Sequence, residues 1–234
     1  MTVHQNQWSV TVETKVFQYP ALRTDLLLSR FPALLTHPHA VVRIPSLTLT
    51  KSKEPSTICI IRTSSCSTIT NTPGFYTPPP PQNPTDVVFT QKTPNMGVGL
   101  FTKRSFKVNE MIFSERPLLV FPPGFPYLSA LPREEALKYG DTLFEEALQR
   151  GLRAMTKEDV DAFMSLSSCH PNLPRVHGTA STNSFATDIE EENLLDGKFG
   201  YSTVGRLASR INHRYVVRLV FQVIANNMNG VVLL

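Results

Sequence analysis

Gly200-Tyr-Ser-Thr-Val-Gly-Arg-Leu-Ala-Ser-Arg-Ile-Asn-His-Arg-Tyr-Val-Val-Arg-Leu219 is the stretch on which the reading of this chain turns. A short apolar run carrying Arg206 and Arg210 leads to Asn212-His213, and the character changes at Arg214. A neutral imidazole beside a carboxamide can hold a heteroaromatic ligand by hydrogen bonds. On composition alone the same pair is an ordinary helix end. Downstream, Val216-Val-Arg-Leu-Val-Phe-Gln-Val-Ile-Ala225 is almost uncharged and strongly β-prone, and Val231-Val-Leu-Leu234 repeats the trait. Left exposed, such a segment is an aggregation-prone edge; otherwise it pairs as a strand or joins a core.

Upstream, residues 133–152 read as a helix. Leu137, Phe144, Ala147, Leu148 and Leu152 fall near one face, with Glu134, Glu135, Asp141, Glu145 and Arg150 off it. Gly140 weakens it. A second helix starts at Thr156, where Thr-Lys-Glu-Asp159 resembles a capping box. Its apolar face is Val160, Phe163, Met164 and Leu166, and His170-Pro-Asn-Leu-Pro174 stops it. A third helical piece is expected over 179–189, and 190–197 reads as an acidic loop.

Earlier still, Val87-Val-Phe-Thr90 reads as a strand, followed by strands over 99–103 and 110–114 joined by a turn at Lys107-Val-Asn109. Asn71-Thr-Pro-Gly-Phe-Tyr-Thr-Pro-Pro-Pro-Pro-Gln-Asn-Pro84 is stiff and poor in backbone donors, which marks a linker and a domain boundary. Before it, residues 1–85 show no steady period, only short β-prone pieces such as Ile58-Cys-Ile-Ile61. Residues 1–85 are therefore expected to be largely disordered or weakly ordered.

The 234 residues suffice for one good-sized domain, or a domain and a tail. The net charge of +4 is scattered, with an excess of three basic residues within 1–90, so no dense Lys/Arg face speaks for direct nucleic-acid binding. Cys59, Cys66 and Cys169 make neither a disulfide framework nor a CxxC pair, a usage that suits a reducing, intracellular compartment. No apolar run reaches the ~20 residues of a spanning helix, and no membrane partner is expected. The Ser/Thr-rich, acid-poor front has a trait of mitochondrial presequences, which Glu13 and Asp25 interrupt.

Among residues with chemistry, Gly97-Val-Gly99 is a GxG turn that lets backbone approach a ligand, without the third glycine of a dinucleotide fingerprint or the Lys-Ser/Thr of a P-loop. Cys169-His170 has the residue types of a thiol nucleophile but no orienting partner nearby, so a helix end is the better reading. Glu190-Glu-Glu192 is better read as a solvated loop than as a metal cluster.

Three pieces occur in order: Gly97-Val-Gly-Leu-Phe-Thr102 with Glu110-Met-Ile-Phe-Ser-Glu-Arg-Pro117, then Thr182-Asn-Ser-Phe185, then Ser209-Arg-Ile-Asn-His213. Together they resemble the SET-domain family of protein lysine methyltransferases, in its fungal, SET-and-MYND-like branch without the MYND zinc finger. The resemblance covers about residues 88–213. It implies an α+β fold of SET-type small β-sheets with an α-helical insert over 133–189, within a partial domain at 86–213. It implies S-adenosylmethionine as cofactor, held by Gly97, Val98, Gly99, Asn183, Asn212 and His213, and a lysine side chain of a protein substrate as methyl acceptor. The chemistry so implied is direct transfer, in which the enzyme supplies alignment and a narrow apolar channel.

After Asn-His the family places Ser-Cys-x-Pro-Asn, where this chain has Arg214-Tyr-Val-Val-Arg218. The family's closing tyrosine is not matched by Tyr215, so no catalytic residue is assigned. Residues 214–234 read as a non-family apolar tail, and the domain as incomplete at that end. Arg-Tyr-Val can be encoded AGG-TAT-GTN, which contains a common fungal intron donor, so the tail also reads as translated intron. Two expectations stand side by side: a methyltransferase impaired in catalysis, nuclear or cytoplasmic, and a truncated, non-enzymatic fragment or interaction module.

Overall fold

The computed structural model describes residues 15–17, 39–44, 56–63, 84–94, 97–107, 110–122, 132–193, 197–211, 220–224 and 229–233. Three strands open the chain: β1 (Lys15–Phe17), β2 (His39–Ile44) and β3 (Thr57–Arg62). A one-turn helix α1 (Pro84–Val87) leads into β4 (Val88–Thr93), β5 (Gly97–Thr102), β6 (Met111–Glu115) and β7 (Leu119–Phe121). Three helices follow, α2 (Arg133–Ala154), α3 (Lys157–Met164) and α4 (Arg175–Asn183). The chain then forms β8 (Ser184–Asn193), β9 (Gly197–Val204), a 3-10 turn at Ala208–Arg210, β10 (Val220–Ile224) and β11 (Asn229–Leu233). The class is mixed α+β, with small sheets and few helices, as expected.

The largest sheet has the order β1-β2-β3-β7-β9-β8, antiparallel except where β3 runs parallel to β7. Two smaller sheets have the orders β10-β11-β6 and β4-β5. Within 1–85, where weak order was expected, β2 and β3 take interior positions in the large sheet. Every residue of β3 is buried, because α2 covers the sheet there. Ile58 and Ile60 share one apolar core with Leu119, Leu143, Leu148, Leu152 and Phe163. Burying an aliphatic side chain of this size contributes about 1.5–3 kcal/mol, which explains why so apolar a strand is drawn inside. The fit is close: a Cβ on Gly151 would meet Cδ1 of Ile60 at 3.0 Å.

α2 has Glu134 and Glu135 in its first turn and Arg153 in its last, matching the helix dipole. It runs through Gly140, and Phe144, Ala147, Leu148 and Leu152 are buried as expected. Leu137 is not: it is 60% exposed, and Ala136 and Tyr139 pack on the core instead. α3 starts as its sequence promised. The Thr156 hydroxyl accepts from the Asp159 amide at 3.2 Å and donates to the Asp159 carboxylate at 2.7 Å. Its last carbonyl, and that of Leu166 just beyond the helix, are met by Arg175, whose guanidinium donates to Met164 O at 3.1 Å and Leu166 O at 2.8 Å.

Three boundaries differ from expectation. The third helix spans 175–183, not 179–189, because Pro174 presets its entry and Glu145 of α2 supplies the missing cap, accepting from the His177 amide at 2.8 Å. The acidic 190–193 segment is strand, not loop: Glu190, Glu191 and Glu192 stand opposite Gly200, Phe199 and Lys198. Val108 and Asn109 of the expected turn lie outside the described residues; Glu110 N donates to Lys107 O at 3.0 Å across them, and the strands on either side do not pair with each other. β5 pairs with β4, and β6 with β11, so the apolar tail does supply a strand. Among the described residues no helix is long and apolar enough to cross a membrane.

Candidate functional site

A cleft of about 340 Å³ lies where β5, the end of α4 and the 3-10 turn meet. Val98 forms one side, Leu166 and Ser167 another, the run Thr182-Asn-Ser-Phe185 a third, and Ser209-Arg-Ile211 closes it. Each of the three quoted sequence pieces therefore contributes to one concave surface, although the first and last lie over a hundred residues apart. The lining mixes apolar surface from Val98, Leu166, Phe185 and Ile211 with hydroxyl, amide and guanidinium groups. That is the composition of a site for an amphipathic small molecule.

Gly97 begins β5 with φ 71°, a backbone state that costs other residues a clash between Cβ and backbone. A Cβ there would also meet the Ser167 hydroxyl at 3.0 Å. Gly97 thus brings β5 against the 165–174 loop, and Val98 faces the cleft. Gly99 is buried within β5 opposite Gln91 and is not among the lining residues. The Gly-Val-Gly piece is the start of a strand, not itself the turn.

Asn183 is buried at the last residue of α4, where helix passes directly into β8. Its Nδ2 donates to Ser167 O at 2.6 Å and Thr179 O at 2.7 Å, so both amide hydrogens are used. Oδ1 is the polar atom left to meet a donor on a ligand. The Asn183 carbonyl accepts from the Ser209 hydroxyl at 2.7 Å, and that hydroxyl accepts from Gly205 N at 2.9 Å. Asn183 and the 205–211 loop are thereby tied together. Asn212 and His213 lie outside the described residues; Ile211, which precedes them, lines the cleft.

Two carboxylates hold the loop from outside the cleft. Glu115 of β6 accepts from Ala208 N at 2.7 Å and from Leu207 N at 3.0 Å. Burial pushes its pKa up, while those amides and the Arg206 charge oppose the rise. Asp159 of α3, itself buried, receives Arg206 at 2.7 Å, with Glu158 farther off at 3.8 Å. Arg210 is fixed by donating to the Ser165 hydroxyl at 2.6 Å. Neither support is legible in the sequence: Glu115 stands inside the Glu110–Pro117 piece and Asp159 inside the capping box, and nothing local links either to the loop.

Cys169 and His170 sit exposed in the 165–174 loop. Cys169 N donates to the Thr182 hydroxyl at 3.0 Å, and its thiol lies 3.4 Å from the same oxygen. His170 N donates to Ser168 Oγ at 3.3 Å. The pair serves the loop after α3, as a helix end would. Among the described residues no three His, Cys, Asp or Glu side chains gather as a metal ion would need. No family model, curated protein or solved structure matches this chain.

Proposed function

We propose that this chain carries the cofactor-binding part of a SET-type, S-adenosylmethionine-dependent protein-lysine methyltransferase. One observation carries the reading: the three pieces that resemble the family, distant in sequence, line a single cleft of small-molecule size. In this reading Gly97 and Val98 admit the amino-acid end of the cofactor along the start of β5. The Asn183 Oδ1 accepts from its ammonium, and the resemblance assigns Asn212, which follows Ile211 in sequence, to the same amino-acid end and His213 to the adenine. Gly99, two residues farther along β5 and outside the lining, leaves the strand backbone free of a side chain beside that end. The protein substrate would present a lysine amine to the methyl group, and the helices α2 to α4 would shape its approach.

The residues after His213 do not follow the family's pattern, and methyl transfer by this chain is proposed to be weak or absent. Because β11 of the apolar tail pairs with β6 and so completes a small sheet, the second reading is a folded, non-enzymatic fragment. The reading is tested by ultraviolet cross-linking of radiolabelled S-adenosylmethionine to the full chain, followed by peptide mapping. Label on peptides containing 97–102, 182–185 or 207–213 is the expected result. Label confined to other peptides, or none above a competitor control, would reject it.

A further inference from the structure

We infer that Glu115 is a positioning residue that latches the 205–211 loop and so sets the wall of the cleft. The carboxylate lies on β6 and is not among the residues that line the cleft. Its hydrogen bonds to the loop go to backbone amides, with Oε1 2.7 Å from Ala208 N and Oε2 3.0 Å from Leu207 N. These amides open the 3-10 turn at Ala208–Arg210, where backbone donors have no partner within the turn itself. A carboxylate satisfies both, and charge-assisted bonds of this kind are about twice as strong as neutral ones.

Gly205 completes the latch. A Cβ on it would overlap the Glu115 carboxylate, so the glycine is what lets the acid reach the amides. Arg206 and Arg210 are the cations whose fields reach Glu115, and each is already held elsewhere, by Asp159 and Ser165. The acid therefore holds the loop's main chain without being drawn off to a guanidinium. Ser209, Arg210 and Ile211 emerge directly from the gripped turn and line the cleft. Displacing the turn would displace them.

The ligand arm of the test rests on the function proposed above; the exchange arm does not. Amide hydrogen exchange on the full chain is expected to show Leu207 and Ala208 protected in the native protein. In Glu115→Ala and Glu115→Gln their exchange should rise by roughly tenfold or more, with Leu148 in α2 unchanged as a control for folding. Unprotected amides in the native chain, a measurement that needs no variant, would overturn the latch; so would equal protection in a folded variant. In titrations with S-adenosylmethionine, Glu115→Gln should weaken binding about tenfold. Equal binding by the native chain and the variant would overturn the link from latch to cleft. If the native chain binds no cofactor, the proposed function fails, and the latch is decided by exchange.

Discussion

Gly205→Ala is the sharpest perturbation of the site. Among the described glycines only Gly97 has a positive φ, so alanine at 205 meets no backbone strain. On that ground alone it would stabilise the fold by about 0.4–1 kcal/mol, through the unfolded chain. The structure predicts the reverse. The new methyl carbon would overlap Glu115 Oε1 and press on Ala208 Cβ at 3.1 Å. The carboxylate must withdraw from two buried amides, and a bond to a charged acceptor contributes about 1.5–3 kcal/mol. Partial relaxation of the loop leaves an expected loss of about 3 kcal/mol. A double-mutant cycle in urea isolates the cause. In a Glu115→Ala background only the tight contact with Ala208 Cβ remains, and Gly205→Ala should cost less than about 1 kcal/mol, a coupling of about 2 kcal/mol or more. Additive losses, or a single variant as stable as the native chain, would refute the reasoning.

Three further outcomes follow from other contacts. Gly97→Ala forces a side chain into the left-handed region and against Ser167, and should lower stability by about 1–3 kcal/mol in the same urea assay. Arg206→Met removes the cation from the buried Asp159 while sparing the Thr156 cap. Since Arg206 is itself 36% exposed, solvent screens the pair, and the expected loss is about 1–2 kcal/mol, smaller in high salt. Burial holds the His177 pKa below 6.5, with His170 adding to the shift and Asp141 and Glu145 opposing it. The unfolded chain therefore takes up this proton first as pH falls. Stability from His177 is full above pH 6.5 and is lost as pH drops through the lower folded value, a slope that His177→Gln should flatten in melts from pH 7.5 to 5.

What the sequence disclosed was local, and what it concealed was pairing between distant segments. The capping box at Thr156 and Asp159 is complete within four residues, and α3 begins where those residues say. α2 was legible because its apolar spacing is dense, and Leu137 was misplaced because Ala136 and Tyr139 carry the core-facing side at that end of the helix. β3 read as β-prone, but its burial depends on a parallel partner, β7, far along the chain. β8 was hidden by three consecutive glutamates, a composition that suggests solvent; the register with β9 sets Glu192 opposite Lys198. At the site, the glycines and Asn183 could be named because they belong to short pieces. Ser167, Glu115 and Asp159 could not, because each acts on the cleft through a contact that only the fold creates.

S-adenosylmethionine is the ligand proposed for the cleft behind Val98. The most direct test of that proposal is thermal unfolding of the full chain with and without the cofactor. A ligand at about 100 times its Kd adds about 2.7 kcal/mol to the native state, equivalent to roughly 5–10 °C for a chain of this size. Val98→Arg is the control, since Val98 is 37% exposed and an arginine there fills the cleft without disturbing the core. Tm is expected to rise for the native chain and to stay unchanged for Val98→Arg. No rise at millimolar cofactor, or an equal rise in both proteins, would contradict the proposal.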